Sequence, residues 1–382
     1  MKRLAAFVLG VLLAASPVLS NSHCEAEGSA APEVLNSLLD PILKKYDLPA
    51  LAGAIVTSKG LVAVGATGVR KYGTNTPVTT DDQFHLGSDT KAMTATMLAT
   101  LVEEGKLSWT TTLRQAFPEL ESKMNPAYRD VTLEQLLAHR AGFTDESWPK
   151  GKSFGDMHKL PGAPREQREA YVAMILSESP VSAPGSKFLY SNRSYAVAGA
   201  IAEKVANDSW EHLMQKRIFD PLGMASCGFG AMGIPGRVDQ PWQHKLILSG
   251  HWSIEPGPQS DNPPVIGPAG TVHCSVIDWG KFITAHLRGE AGLPGILKPE
   301  TFKRLHMPAF GGDYASGWIV TDRPWAGGRA LTHAGSNTMN FAIVWMAPAK
   351  DFAVLVMTNQ AGGETFNACD EAASALIVHF TQ

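Results

Sequence analysis

Cysteine is scarce in this chain. Four occur in 382 residues, Cys24, Cys227, Cys274 and Cys369, and none forms a C-x-x-C pair. That spacing excludes a zinc-finger framework and a disulfide-dense small domain, so no metal site is expected and the pairing stays open. Charge is thin as well. Only 18% of residues are charged, and 33 basic side chains nearly balance 36 acidic ones. No basic run or basic helix stands out, which argues against a nucleic-acid partner. The leading apolar run is too short for a comfortable membrane span, so no stable span is expected. Internal repeats and low-complexity tracts are also missing.

What remains is a long chain, 44% hydrophobic, with enough apolar surface for a large core in two lobes. The first residues, MKRLAAFVLGVLLAASPVLS, place two basic residues before about a dozen apolar ones and then small residues. This pattern reads as a signal peptide over residues 1–20, which implies a periplasmic or secreted protein. Residues 31–382 then form the working domain.

Hydrophobic periodicity divides that domain. Residues 31–46 carry Val34, Leu35, Leu38, Leu39, Ile42 and Leu43 on one helical stripe. Residues 51–73 read as two strands joined by a tight turn at Ser58-Lys59-Gly60. Helical segments at 133–143, 165–179, 194–206 and 209–219 follow, with long Gly-, Pro- and Trp-rich loops at 142–164 and 229–272. Loops that long are usually functional rims. Strand-like runs return at 314–320, 330–336, 340–348 and 352–359, before a last helix at 367–380. The expected fold class is therefore α+β: an antiparallel sheet from 31–105 and 311–382, flanked by helices, with a mostly helical lobe inserted over about 106–310.

Three short motifs carry chemistry. Ser88-Asp89-Thr90-Lys91 opens an apolar helix, Tyr190-Ser191-Asn192 precedes another, and His333-Ala334-Gly335-Ser336 lies on a strand. A lone S-x-x-K is common. The three together, in this order, match the signature of active-site serine acyltransferases. With "LLAHRAG" (136–142), "PLGM" (221–224) and "GPAGTVHCSVIDWGKF" (267–282), the chain resembles the serine β-lactamase and penicillin-binding-protein superfamily. The resemblance points to its branch of class C β-lactamases and family VIII carboxylesterases. It implies a serine hydrolase with an acyl-enzyme mechanism, no cofactor, and a small-molecule ester, β-lactam or peptide substrate.

The residues support that implication. Ser88 and Lys91 are one helical turn apart, so both side chains share a face. An apolar wall disfavours the ammonium and makes Lys91 a usable base. Tyr190 is expected to relay the proton, provided nearby cations lower its pKa. Asn192 is expected to hold Lys91 or the substrate. The N–H groups of Ser88 and Ser336 are expected to form the oxyanion hole, with Gly335 admitting substrate to the strand. His333 stands where the β-lactamases and peptidases usually carry a lysine that reads a carboxylate. A histidine near its ordinary pKa is a weaker anchor at pH 7 and gains charge toward pH 6. Ester hydrolysis is therefore favoured over β-lactams and D-amino-acid peptides or amides. A non-catalytic relative serving as binding protein or scaffold is the rival from another class. His139 reads as structural. Gly151-Lys152-Ser153-Phe154-Gly155 matches a nucleophile elbow, but neither a buried strand nor a helix opening flanks it.

Overall fold

A seven-stranded sheet organises the protein. The computed structural model describes residues 32–247 and 250–382; the expected signal peptide and Cys24 lie outside this range. Across the sheet the strands run Glu33–Val34, Gly60–Gly68, Ala50–Thr57, Phe352–Thr358, Phe341–Ala347, Gly328–Ser336 and Ile319–Arg323. Every neighbouring pair is antiparallel except the first. The two ends of the described chain thus build one sheet, as the strand-like runs at both ends require. The fold is α+β.

The sheet is covered on both faces. Helices Asn36–Lys45 and Thr365–Thr381 pack on one face, where Leu39, Ile42, Ala372 and Leu376 bury against Ile55, Val354 and Val356. On the other face lie helices Val276–Glu290 and Thr90–Glu103. The Thr90–Glu103 helix is buried almost all round, including every residue from Thr90 to Ala99. A helix with no solvated face belongs in the centre of a large core. Its first turn carries Lys91, and the adjoining turn Gly87–Asp89 carries Ser88.

Several boundaries differ from the sequence reading. Val34 is not part of the first helix; it pairs with Val64 at the sheet edge and is 69% exposed. The 133–143 segment is helical only over Leu133–Leu137, and His139 sits at a positive φ of 54°. Of the 314–320 run, only its end joins the strand Ile319–Arg323, because Gly317 turns the chain at φ 84°. The 229–272 loop also contains a hairpin, Gln243–Ile247 with Gly250–Ile254. Cys227 and Cys274 are joined in a disulfide, and Cys369 is a free, buried thiol. Among the described residues, no helix is long and apolar enough to cross a membrane.

Candidate active site

Lys91 has no exposed surface. Its Nζ lies 2.9 Å from Ser88 Oγ, 2.8 Å from Asn192 Oδ1 and 2.8 Å from the carbonyl oxygen of Ala269. The first two motifs of the sequence therefore meet at one nitrogen. Burial holds the amine well below its ordinary pKa, with Asp89 opposing. A neutral amine has two N–H bonds and one lone pair. The Ala269 carbonyl can only accept, and Asn192 presents its oxygen while its Nδ2 donates to Ser147 Oγ at 3.0 Å. These two acceptors use both N–H bonds, which leaves the lone pair aimed at the Ser88 hydroxyl. That is the arrangement a general base needs.

Tyr190 lies across the same nitrogen, with Lys91 Nζ 4.8 Å from its ring centroid. The expectation that neighbouring cations lower its phenol is corrected. Burial pushes it up, opposed by a bond to the Ser88 hydroxyl. Lys91, the cation beside it, is itself pushed well below its ordinary pKa by the same burial. His139 packs beneath Tyr190 at 4.4 Å between ring centroids, and its Nδ1 accepts the Ser191 N–H at 3.1 Å. It props the Tyr190–Asn192 turn, a structural part.

The third motif lies directly against the first. A methyl group built on Gly335 would come within 2.5 Å of Ser88 N, and one on Gly87 within 2.1 Å of Ser336 N. Gly87 also has a positive φ of 50°. Glycine at both positions lets the two backbones close to the distance at which their N–H groups could share one oxygen. Ser336 uses its own hydroxyl to bind the Asn340 carbonyl at 2.6 Å, so its contribution to the site is its backbone.

His333 is where the sequence placed it, but its state is different. It is buried, 4% exposed, with Nε2 3.2 Å from the Tyr314 hydroxyl and Nδ1 3.6 Å from Asp89 Oδ1. Burial, the largest cause, pushes its pKa down to about 3. The expected gain of charge near pH 6 is therefore corrected: His333 stays neutral through the whole working range. Asp89 is pushed well above the usual carboxylate range by its burial. Sequence reasoning passed over Asp89, although it stands inside the S-x-x-K motif.

A cleft of about 920 Å³ opens over Ser88 and Asn192. Its walls come from the two long loops, through Trp148 and Phe154 on one side and 254–262 on the other, with Ser336–Met339 closing the end. Among the described residues that line it, Lys245, half-buried, is the one lysine. A second hollow of about 350 Å³ lies beside Tyr190 and His333, lined by Phe188, Tyr314, Ile319 and Asp313. Contrary to the sequence reading, a helix does open at the Gly151–Gly155 motif: Ser153 caps the short helix Phe154–His158, with Oγ 2.7 Å from Asp156 Oδ2, but no strand leads into it. Among the described residues, no cluster of three or more His, Cys, Asp or Glu side chains is disposed to hold a metal.

A sheet built from both chain ends, with a buried S-x-x-K turn facing a Tyr-x-Asn turn and an H-x-G strand, defines a serine-hydrolase scaffold. The beta-lactamase family model matches residues 35–378, and the chain belongs to that family, within the serine β-lactamase and penicillin-binding-protein superfamily. It is 24% identical over 336 residues to penicillin-binding protein 4 of Amycolatopsis lactamdurans, covering 84% of this chain and 83% of that one. It is 25% identical over 376 residues to an unguisins hydrolase of Aspergillus campestris, covering 94% of this chain and 66% of the relative. Among solved structures, it superposes on the octameric penicillin-binding protein homologue from Pyrococcus abyssi with a TM-score of 0.72 and 25% identity, over 90% of this chain and 77% of that one. The D-alanine carboxypeptidase AmpC from Burkholderia cenocepacia shares the fold, with a TM-score of 0.69 at 21% identity over 89% of this chain and 97% of that one.

Proposed function

We propose that the protein is an exported serine hydrolase that forms an acyl-enzyme on Ser88 and prefers neutral carboxylic esters. The observation that carries the chemistry is the inventory of hydrogens around Lys91 Nζ, which leaves a lone pair facing Ser88 Oγ. In the first half-reaction Oγ bonds the carbonyl carbon while its proton passes to Lys91. The oxyanion rests on the N–H groups of Ser88 and Ser336. Its collapse breaks the C–O bond, and the proton reaches the departing alcohol through Tyr190, whose raised pKa keeps it a phenol and suits it to relay. Water then attacks the acyl carbon and the same groups work in reverse, freeing Ser88 and the carboxylic acid.

The preference for esters rests on the hollow beside Tyr190. Its imidazole is neutral, three of its walls are aromatic, and among the described residues lining it there is no lysine or arginine, only the acidic side chain of Asp313. A carboxylate there would find repulsion where it needs an anchor. Export is supported by the leading sequence pattern and by the Cys227–Cys274 disulfide, which suits an oxidising compartment. A second reading has one observation in its favour: Lys245 lines the cleft and could anchor a carboxylated β-lactam or D-peptide there.

A fluorophosphonate probe tests the nucleophile, and the adduct should map to residues 84–93 and vanish in Ser88→Ala. Tyr190→Phe should lower kcat by roughly 10²–10⁴, the usual scale of general acid–base catalysis. A panel of p-nitrophenyl esters, nitrocefin and D-Ala-D-Ala peptides then ranks the substrates. Faster turnover of nitrocefin than of short-chain esters at pH 7.5, lost in Lys245→Ala, would favour the second reading. No adduct and no turnover on any of them would leave the binding or scaffold role.

A further inference from the structure

A buried chain of side chains joins the two walls of the proposed oxyanion hole. It starts at the turn that carries Ser88, where Gly87 N–H donates to His85 Nδ1 at 3.0 Å. A neutral imidazole that accepts at Nδ1 carries its hydrogen on Nε2. That Nε2 lies 2.9 Å from Asp261 Oδ2. Asp261 Oδ1 in turn accepts from Asn337 Nδ2 at 2.9 Å. Asn337 is the residue after Ser336, and its Oδ1 accepts the Asn340 N–H at 2.9 Å. Gln243 Oε1 braces the far side, receiving Asn337 Nδ2 at 2.6 Å and Asn340 Nδ2 at 2.7 Å. All five side chains are at most 4% exposed.

The polarity of this chain is fixed at both ends. His85 cannot change tautomer without facing the Gly87 N–H with a second donor. Asn337 cannot turn its amide over without facing the Asn340 N–H with a donor. Donors therefore converge on Asp261 from both sides, and only a group that accepts on both oxygens satisfies them. This gives a reason for a carboxylate rather than an amide at position 261. We infer that Asp261, acting through His85 and Asn337, is a positioning residue that sets the spacing between the Ser88 and Ser336 N–H groups. Asp261 and Asn337 line the cleft, but their polar atoms are engaged within the chain. Its effect comes through the gap between Gly87 and Ser336, where the backbones already stand too close for a Cβ. Donors displaced by a few tenths of an ångström would still admit a flat ester but would fit the tetrahedral oxyanion poorly.

The inference rests on the Ser88 acyl-enzyme reading, and the test separates the two. Asp261→Asn is nearly isosteric and puts an NH₂ group against one of the two converging donors. With a p-nitrophenyl ester, kcat should fall about 10- to 100-fold, a fraction of what losing an oxyanion donor costs, while KM stays within about twofold. The Ki of phenylboronic acid, whose serine adduct places an oxygen in the hole, should rise in parallel with the loss in kcat/KM. Adding Asn337→Asp to Asp261→Asn returns an acceptor to the facing position and should recover part of kcat. If Asp261→Asn does not fold, Asn337→Asp alone removes the same bond from the other wall and must show the same kcat-selective loss. Unchanged kcat and boronate Ki in the folded variant, with only a lower melting temperature, overturn the inference and make the network scaffolding. An inactive wild type would instead sink the hydrolase reading itself.

Discussion

Lys91 and Arg168 are both cations with no exposed side-chain surface, and the protein treats them in opposite ways. Arg168 bonds Glu203, meets Glu211 Oε1 at 2.7 Å and donates to the Pro264 carbonyl at 2.9 Å. Its charge is kept and compensated. Lys91 has carbonyl and hydroxyl oxygens around it, and the nearby acid, Asp89, is itself pushed toward its neutral form. Its charge is disfavoured by burial. A guanidinium cannot be discharged at any working pH, so a buried arginine must be paired. A lysine amine can lose its proton, and burial then turns the desolvation cost into basicity. The contrast separates a buried charge that holds the helical lobe together from one that is available for chemistry.

The largest expected effect is on activity at the discharged site. Lys91→Met removes the base from a catalytic unit and should cost roughly 10⁴-fold or more in kcat, close to Ser88→Ala, because such units are non-additive. Stability should not fall at neutral pH, since the hydrogen bonds lost are offset by removing the cost of taking a proton from a buried amine. The pH dependence gives a sharper reading. Between the lowered folded pKa of Lys91 and its unfolded value near ~10.4, the unfolded chain binds a proton that the folded chain does not. Lys91 therefore makes stability rise with pH over that window. Urea unfolding midpoints should show this slope in the wild type and less of it in Lys91→Met. Equal slopes would mean that Lys91 is charged in the folded protein.

Arg168→Met should do the reverse. It strands Glu203 and Glu211 without their cation, and breaking a buried pair from one side costs about 3–5 kcal/mol. Denaturant midpoints should fall accordingly, while kcat per folded molecule stays within a few-fold. A comparable loss of kcat in folded Arg168→Met would erase the division between the two sites.

How far the sequence alone reaches follows from the range of each interaction. Ser88 and Lys91 were legible because i and i+3 on a helix are neighbours whatever the rest of the chain does. The sheet was legible because its central strands, such as Phe341–Ala347 and Phe352–Thr358, run apolar for six or seven residues. The Gln243–Ile254 hairpin was not, since Gln243, His244 and Lys245 give no alternation and its register depends on Gln360 and Ala361 far along the chain. The His85–Asp261–Asn337 chain was invisible for the same reason: it joins residues 76 or more positions apart. Tyr190 and His333 were recognised as residues, but their proton states depend on burial that three motifs create only together. Reading pKa from residue type therefore erred in both cases.

The smallest expected effect is the absence of one, and it concerns His333. A histidine that titrated near its ordinary value would bind a carboxylated substrate better as pH falls from 8 to 5.5, and the ratio of nitrocefin to ester turnover would climb. Burial among Tyr314, Asp89 and Lys91 instead holds His333 at about 3, below the whole window. Both substrates share Ser88 and Lys91, so the acid limb from protonating Lys91 cancels in the ratio. The ratio of kcat/KM for nitrocefin to that for a p-nitrophenyl ester should then stay flat, within about twofold, from pH 8 to 5.5. His333→Lys would place an ammonium beside the hollow and raise the ratio, on the order of tenfold for one charge-assisted hydrogen bond. The gain should be largest at low pH, because the introduced amine is subject to the same burial and is discharged as pH rises. A wild-type ratio that climbs severalfold with a midpoint near 6 would show that His333 takes up a proton in the working enzyme, and the charge-free hollow would lose its support.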